Sequence, residues 1–101
     1  AGDESGAVEA FERAVTMDES FAQAWYNLAD LVDLTEPERA IDCLQRAVAA
    51  EPTYADAHFN LAAALEEQGR ESESTMHWRR YLQLDSSSEW ADHARRRLGV
   101  V

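Results

Sequence analysis

The chain has no lysine, one cysteine, two prolines and four glycines among its 101 residues. The single cysteine, Cys43, cannot form an internal disulfide, so the sequence gives no sign of an oxidising compartment and we expect a cytoplasmic location. No apolar run approaches the roughly 20 residues that a membrane-spanning helix requires. A membrane partner is therefore not expected.

Positive charge is also scarce. Nine arginines stand against twenty Asp and Glu residues, and the formal net charge is −11. Residues 1–68 hold fifteen acids and three arginines, whereas residues 69–101 hold five acids and six arginines. Because the phosphate backbone binds to basic surfaces, direct binding of nucleic acid is not expected. The absence of lysine beside many alanines and arginines is typical of a GC-rich bacterial coding sequence.

Apolar residues make up 46% of the chain, which is enough for a core without disulfides or a metal. The length fits one small domain. An internal repeat runs through it. Residues 22–32 (AQAWYNLADLV) align with residues 55–65 (ADAHFNLAAAL) at an offset of 33, and residues 40–52 align with residues 74–86 at an offset of 34. Repeats of this length are typical of solenoids, in which neighbouring units share a continuous core.

The periodicity is helical throughout. Trp25, Leu28, Ala29 and Val32 follow the i, i+3, i+4, i+7 spacing of a buried helix face. Three capping boxes are predicted, at Ser20 with Gln23, at Thr35 with Glu38 and at Ser86 with Glu89. Pro37 fits a first helical turn, and Gly69 and Gly99 fit C-terminal caps. Six helices are predicted, at about 5–17, 21–34, 37–50, 54–68, 71–84 and 88–98.

The repeat resembles the tetratricopeptide pattern. The first complete repeat matches it at Trp25, Leu28, Ala29, Ala40, Leu44, Ala47 and Pro52, and the second at Leu61, Ala62, Leu65, Gly69, Trp78 and Asp85. Ser74, Tyr81 and Ser86 depart from it, and the large Tyr81 is expected to push its helices apart locally. The resemblance implies an all-α fold, a right-handed superhelical stack of helix pairs. It divides the domain into the second half of a truncated repeat (1–21), two repeats (22–54 and 55–88) and a C-terminal capping helix (89–101).

The resemblance implies a scaffold that binds other proteins and not an enzyme. His58 takes the slot of Trp25, so it is predicted to be a half-buried packing residue. No two of His58, His77 and His93 lie three or four residues apart, so no metal pair on one helix is predicted. A catalytic pair of Cys43 and His77 would need contact between matching repeat positions, which stacking places about 10 Å apart. No catalytic residue, metal or cofactor is expected.

The resemblance also implies that the first helix of each pair lines a concave surface. A peptide-binding groove is predicted from the positions of helix 21–34 that face away from the Trp25–Leu28–Val32 stripe, together with positions on helices 54–68 and 88–98. Its ten residues are Gln23, Tyr26, Asn27, Asp30, Asp33, Asp56, Phe59, Asn60, Glu67 and Arg97. Family members with rows of asparagines hold extended peptides by their main chain, which implies that role for Asn27 and Asn60. The alternative is that each asparagine braces a neighbouring loop. The acidic lining predicts an extended partner segment that carries Lys or Arg.

A different class of function is also open. Residues 77–98 loosely resemble the tetratricopeptide tails of some bacterial MerR-type transcription regulators, which implies an assembly or sensing region that acts by self-association. The chain begins inside a repeat, so helix 5–17 is expected to expose an apolar face with Val8, Phe11 and Val15 and to favour a homo-oligomer. The last helix is expected to form a cap, with Trp90, Ala91, Ala94 and Leu98 inward and Asp92, Arg95 and Arg96 outward.

Overall fold

A computed structural model describes residues 3–18 and 21–99 of the chain, and side chains from residue 6 onward within those ranges. It contains six helices in these ranges and no strand: α1 (Asp3–Met17), α2 (Ala22–Val32), α3 (Pro37–Ala50), α4 (Ala55–Glu67), α5 (Glu71–Leu84) and α6 (Glu89–Leu98). The predicted all-α class is confirmed, and no predicted helix end differs from the observed one by more than two residues. The helices form two compact units, α1–α3 (unit 1) and α4–α6 (unit 2).

None of the helices in the described ranges is both long enough and apolar enough to cross a lipid bilayer.

Two predicted helix caps are wrong, and the third falls on Ser20, which lies outside the described residues. The N-cap of α3 is Glu36 and not Thr35, whose hydroxyl donates instead to the carbonyl of Val32 at 3.4 Å. The reason is Pro37, because the residue before a proline is driven out of the helical conformation, and Glu36 has φ −139°. The N-cap of α6 is Ser88 and not Ser86.

The predicted helix ends at proline and glycine are confirmed. Pro37 lies in the first turn of α3, where its missing N–H removes no helical hydrogen bond. Gly69 and Gly99 follow α4 and α6 with φ of +75° and +76°. Residues with a side chain rarely adopt this left-handed conformation, so glycine is the residue that ends these two helices at the lowest conformational cost.

In unit 1, α2 packs against α3 and α1. The predicted stripe of α2 is buried, and it meets an apolar face of α3 that contains Ile41 and Leu44. Trp25 is 9% exposed, and its outer face is covered by the guanidinium of Arg46, 5.2 Å from the ring centroid. An ion pair between Glu12 and Arg39 joins α1 to α3.

In unit 2, α5 packs against both α4 and α6. The centre of this packing is a cluster of buried residues made of Ala62, Trp78, Tyr81, Ala91 and Ala94. Ser74 stands where the tetratricopeptide pattern usually has alanine, and its buried hydroxyl donates to the carbonyl of Ala62 at 2.8 Å. The departure from the pattern therefore leaves no unsatisfied hydroxyl in the core.

Tyr81, the second departure, is also accommodated. Its side chain is only 3% exposed, and its hydroxyl donates to the carboxylate of Asp85 at 2.7 Å. The same cluster contains Ala91 and Ala94, both fully buried on α6. Two alanines thus lie where the large ring of Tyr81 needs room. The expectation that Tyr81 pushes its helices apart did not include these small neighbours.

The prediction for α6 is wrong at one position. Ala91 and Ala94 are buried and Leu98 is half-buried, as expected, but Trp90 is 57% exposed. Trp90 lies in the first turn of α6, at the edge of the buried stripe that contains Ala91 and Ala94. Its ring makes an edge contact with the ring of Phe59, and most of its surface stays exposed to solvent.

Candidate functional site

The predicted groove residues of unit 1 form one face of α2. Gln23, Tyr26, Asn27 and Asp30 are three or four residues apart and therefore share one side of the helix, and Asp33 follows its last turn. We call these five residues the α2 face. Gln23, Asp30 and Asp33 are exposed, and Tyr26 and Asn27 are half-buried. The opposite side of α2 is the buried stripe, so the sequence prediction that these residues face away from it agrees with their exposure.

Asn27 stands out on this face by its hydrogen bonding. Within the described part of the chain its side-chain amide has no hydrogen-bond partner, whereas Tyr26 already interacts with another group. An amide can donate two hydrogen bonds and accept two. Asn27 is half-buried, and its amide supplies both the donors and the acceptor that can bind a peptide main chain.

The acids of the α2 face are not neutralised by the described arginines of unit 1. Arg39 forms ion pairs with Glu12 and Glu36, and Arg46 forms one with Asp42. No ion pair joins a described arginine to Asp30 or Asp33. The α2 face therefore keeps two exposed carboxylates without a counter-ion among the described arginines.

In unit 2 the predicted residues of α4 divide into two kinds. Asp56 and Glu67 are exposed, and Phe59 and Asn60 are half-buried. Asn60, unlike Asn27, already interacts with another group of the protein. We call these four residues the α4 face.

Phe59 is engaged in packing inside unit 2. Its ring centroid lies 4.9 Å from that of Trp78 and 5.1 Å from that of Tyr81, both with edge contacts. Trp90 and His93 approach it at 5.5 Å and 5.4 Å. The exposed aromatic side chain at this position is consequently Trp90 and not Phe59.

The sequence-based site prediction did not include Trp90, although the repeat contained a signal for it. Trp90 follows Asp56 by 34 residues, so it occupies in α6 the repeat position that Asp56, a predicted groove residue, occupies in α4. Trp90 also fits the apolar stripe of α6, which predicts an inward position and conceals this correspondence.

Arg97, the predicted cation at the rim, forms an ion pair with Glu66 of α4. It is therefore occupied by an acid of its own unit, and no described ion pair neutralises Asp56 or Glu67. Asp56 also acts on the buried cluster. Burial is the main cause that raises the pKa of Tyr81, and its hydrogen bond to Asp85 adds to the rise. A hydrogen bond with Ser88 opposes the rise, and the charges of Asp85 and Asp56 add smaller contributions to it.

Two histidines that are 19 residues apart in sequence meet between α4 and α5. His58 is 6% exposed, more buried than predicted, and its Nδ1 lies 3.0 Å from the Nδ1 of His77. Burial lowers the pKa of His77, and the nearby His58 lowers it further, whereas the charge of Glu73 opposes the shift. Spacing rules for a single helix could not find this pair, because its members lie on different helices.

Cys43 is buried in unit 1, and burial raises the pKa of its thiol to about 11. The reactive species of cysteine is the thiolate, so this thiol is a poor nucleophile at neutral pH. Within the described ranges no group of three or more histidine, cysteine or acidic side chains is arranged to hold a metal ion.

Two comparisons with protein families match consecutive parts of the chain. Residues 1–34 match a family model described as tetratricopeptide repeat, and residues 36–69 match one described as TPR repeat. No curated protein sequence matches the chain significantly. Nothing in these comparisons supports an origin from MerR-type regulators.

Solved structures similar to the chain include two crystal structures of MamA. Each has 24% sequence identity over 96% of this chain, with TM-scores of 0.79 and 0.78. The chain spans 60% and 56% of the lengths of those two proteins. At this identity the likeness shows the fold, an all-α solenoid. Together with the two family matches, it supports the assignment of the chain to the tetratricopeptide repeat family.

Proposed function

We propose that the chain is a protein-interaction module whose α2 face holds an extended, basic segment of a partner protein. Tetratricopeptide repeats generally mediate protein–protein interactions, and the α4 face of unit 2 offers a second contact of the same chemical kind. The partner's main chain binds to the asparagine, and its Lys or Arg side chains lie near the carboxylates. Neither a nucleic acid nor a membrane is part of this proposal, and a cytoplasmic location is its expected setting.

The amide of Asn27, which has no hydrogen-bond partner among the described residues, is the observation that carries the proposal. It favours the peptide-binding role over the alternative in which the asparagine braces a neighbouring loop, because a bracing amide would be hydrogen-bonded within the protein. A peptide in extended conformation presents an N–H and a C=O that the amide can satisfy together. Each such bond contributes a net ~1 kcal/mol to binding.

The charges of the α2 face and those of the α4 face each favour a basic partner segment. Asp30 and Asp33 in unit 1, and Asp56 and Glu67 in unit 2, are exposed and have no described ion-pair partner. Surfaces of one charge sign concentrate ligands of the opposite sign and speed their association. The exposed ring of Trp90 adds an apolar and π surface on which an arginine side chain can stack.

The test is Asn27→Ala, measured by fluorescence anisotropy with a short labelled peptide of Ala, Leu and Arg. We expect the parent protein to bind this peptide and not its counterpart with Glu in place of Arg. Loss of one main-chain contact should weaken binding about fivefold, the equivalent of ~1 kcal/mol. Unchanged affinity in Asn27→Ala would show that the α2 face does not hold the main chain.

A matched control is available for the asparagine. Gln45 of α3 is a half-buried amide in the same unit but on another helix, so Gln45→Ala removes an amide outside the α2 face. We expect this variant to bind the peptide as the parent does.

The second candidate function is self-association, as in an assembly region of a larger regulator. Met17 at the end of α1 is 87% exposed and Phe21 before α2 is also exposed, whereas Val8 and Phe11 are half-buried and Val15 is buried. Exposed apolar side chains of this size suit an interface between copies of the chain. Sedimentation velocity over a range of concentrations tests it, and Met17→Ser should shift any dimer towards monomer. A monomer at every concentration would exclude this candidate.

A further inference from the structure

The histidine pair of unit 2, His58 and His77, is joined by a hydrogen bond that depends on protonation. The two Nδ1 atoms lie 3.0 Å apart on neighbouring helices, and one ring donates its Nδ1–H to the Nδ1 of the other. The accepting nitrogen must therefore carry no proton. The packing of α4 against α5 thus includes one hydrogen bond that exists only while this nitrogen stays unprotonated.

The pair can accept a first proton without losing this hydrogen bond. That proton binds to Nε2 of the donor ring, which becomes an imidazolium and still donates from Nδ1 to the neutral ring. A second proton has to occupy the accepting Nδ1. Two N–H groups then face each other at 3.0 Å, where neither can accept a hydrogen bond and the two positive charges repel.

The surroundings on α4 and α5 oppose the second proton. His58 is 6% exposed, and burial disfavours a charged ring. Burial is the main cause that lowers the pKa of His77, the charge of His58 lowers it further, and the charge of Glu73 opposes both. Glu73 is held by Arg70 through two hydrogen bonds of 2.9 Å, so a cation already offsets its charge.

The helix α6, which also packs against α5, does not compensate the pair. Its histidine, His93, contacts the rings of Phe59 and Trp78, and its Arg97 is paired with an acid of α4. The acids of α4 lie at the two ends of that helix. Within the described ranges, neither these acids nor a charge of α6 acts on the protonation of His77.

We propose that the histidine pair is a pH-sensitive switch in the contact between α4 and α5, closed while the pair holds at most one proton and open when it holds two. His58 has a further interaction within the protein, whereas His77 is half-buried. His77 is therefore the ring that turns towards water when the second proton binds. Histidine suits such a switch, because its charge changes between about pH 5 and pH 8.

The switch regulates the proposed binding function, and this step alone rests on that function. Phe59 and Asn60, two members of the α4 face, follow His58 directly in α4. Phe59 also packs against Trp78, which follows His77 in α5. Opening of the contact between α4 and α5 therefore disturbs the surface that supplies the second peptide contact, and acid weakens binding there.

The direction of the pH effect on stability follows from the excluded proton. Below the ordinary histidine pKa of 6.5, the unfolded chain protonates both rings, whereas the closed pair binds one proton. The hydrogen bond therefore stabilises the fold fully above this pH, and its effect is lost as the pH falls. Each excluded proton changes the folding equilibrium constant about tenfold per pH unit.

The first measurement is urea denaturation of the whole chain in a pH series from about 7.5 to about 5, above the range in which most carboxylates titrate. In the parent, the folding equilibrium constant should fall below pH 6.5 with a slope that approaches about tenfold per pH unit. His77→Gln should reduce this slope, because an amide can donate to a neutral His58 and accept from a protonated one. His93→Gln removes the third histidine of the same unit and should retain the parent's slope.

Nitrogen-15 NMR of the histidine rings in the parent gives a second readout, which stays decisive if His77→Gln does not fold. The pair should titrate in two steps whose apparent pKa values are more than about one unit apart. An equal pH slope in the parent and in folded His77→Gln, or two rings that titrate together in one step, would overturn the switch. Neither measurement uses a peptide, so a failure of the switch and a failure of the peptide-binding proposal are separate results.

The regulatory step is tested with the Arg-containing peptide by fluorescence anisotropy. Its affinity should fall between about pH 7 and about pH 5.5 in the parent and fall less in His77→Gln. Equal falls in the parent and in His77→Gln would overturn the regulation of binding by the pair.

Discussion

At the scale of single residues, the positions that the repeat assigns to the core are the ones best predicted from sequence. Trp25, Leu28, Leu44, Leu61 and Trp78 are all buried, because each occupies a core position of the tetratricopeptide pattern. The positions that the sequence misjudged are those whose environment depends on another helix. The histidine pair and the exposed Trp90 belong to this class, since periodicity along one helix contains no information on either.

The two tryptophans at the extremes of exposure give a matched stability test. Trp25→Ala should lower the free energy of unfolding by ~3–5 kcal/mol, as large core truncations do. Trp90→Ala removes the same side chain from a site that is 57% exposed, and it should cost less than about 1 kcal/mol. Urea denaturation measures both. A loss below about 1 kcal/mol for Trp25→Ala would show that the repeat slot is not a core position.

Trp78 is a core residue with an unsatisfied polar atom. Its Nε1 is buried and has no hydrogen-bond partner in the described structure, and the ring packs against Phe59 and His93. A buried donor without a partner costs ~1–3 kcal/mol. Trp78→Phe removes that donor along with part of the ring, so we expect the two effects to offset each other. Urea denaturation should show a change within about 1 kcal/mol, against a loss of ~3–5 kcal/mol for Trp78→Ala. A similar large loss in both variants would mean that ring volume alone decides.

At the scale of elements, the helices and the glycines that end two of them followed from the sequence, but the N-caps of α3 and α6 did not. Ser86, Ser87 and Ser88 are equivalent as cap candidates in a sequence, and the choice among them is made by Asp85. Its carboxylate accepts the backbone N–H groups of Ser87 and Ser88, both at 3.3 Å, and the hydroxyl of Ser88. This fixes the turn so that the Ser88 hydroxyl accepts the N–H of Ala91 at 3.2 Å.

The turn makes a prediction on pH dependence. The hydrogen bond from Ser88 is the main cause that lowers the pKa of Asp85 from 3.8 to about 2, and the one from Tyr81 is the second. A carboxylate whose pKa is lower in the folded state stabilises the fold above its ordinary pKa and loses that effect as the pH falls towards the folded value. Asp85→Asn should therefore be less stable than the parent above pH 4, and the difference should shrink as the pH falls from about 4 to about 2. Urea denaturation in a pH series measures this, and a difference independent of pH would contradict the assignment.

At the scale of the whole molecule, fold and function were predictable to different degrees. The repeat determines which residues are buried, and burial determines the fold, so two matching stretches of sequence were enough for the all-α class. The superhelical arrangement of the two units and the boundaries of the repeats stay predictions. The binding surface depends on which charges are neutralised inside the protein. Arg97, the predicted cation of the groove, is paired with Glu66. The alignment of repeats contains no information on this ion pair.

The net charge of −11 leads to the last prediction, which concerns the rate of binding. Association with the Arg-containing peptide should be fast at low salt and slow markedly with added salt, because exposed charges are screened beyond about 10 Å at 0.1 M. The double variant Asp30→Asn with Asp33→Asn should lower the association rate and flatten its salt dependence, with little change in the dissociation rate. Its matched control, Glu51→Gln with Glu71→Gln, removes the same charge from exposed positions outside the α2 and α4 faces. Stopped-flow anisotropy separates the two rates.

Equal effects of the two double variants would mean that the acids act only through net charge. No effect of either, with Asn27→Ala also silent, would remove the α2 face as the site and leave self-association as the function to pursue.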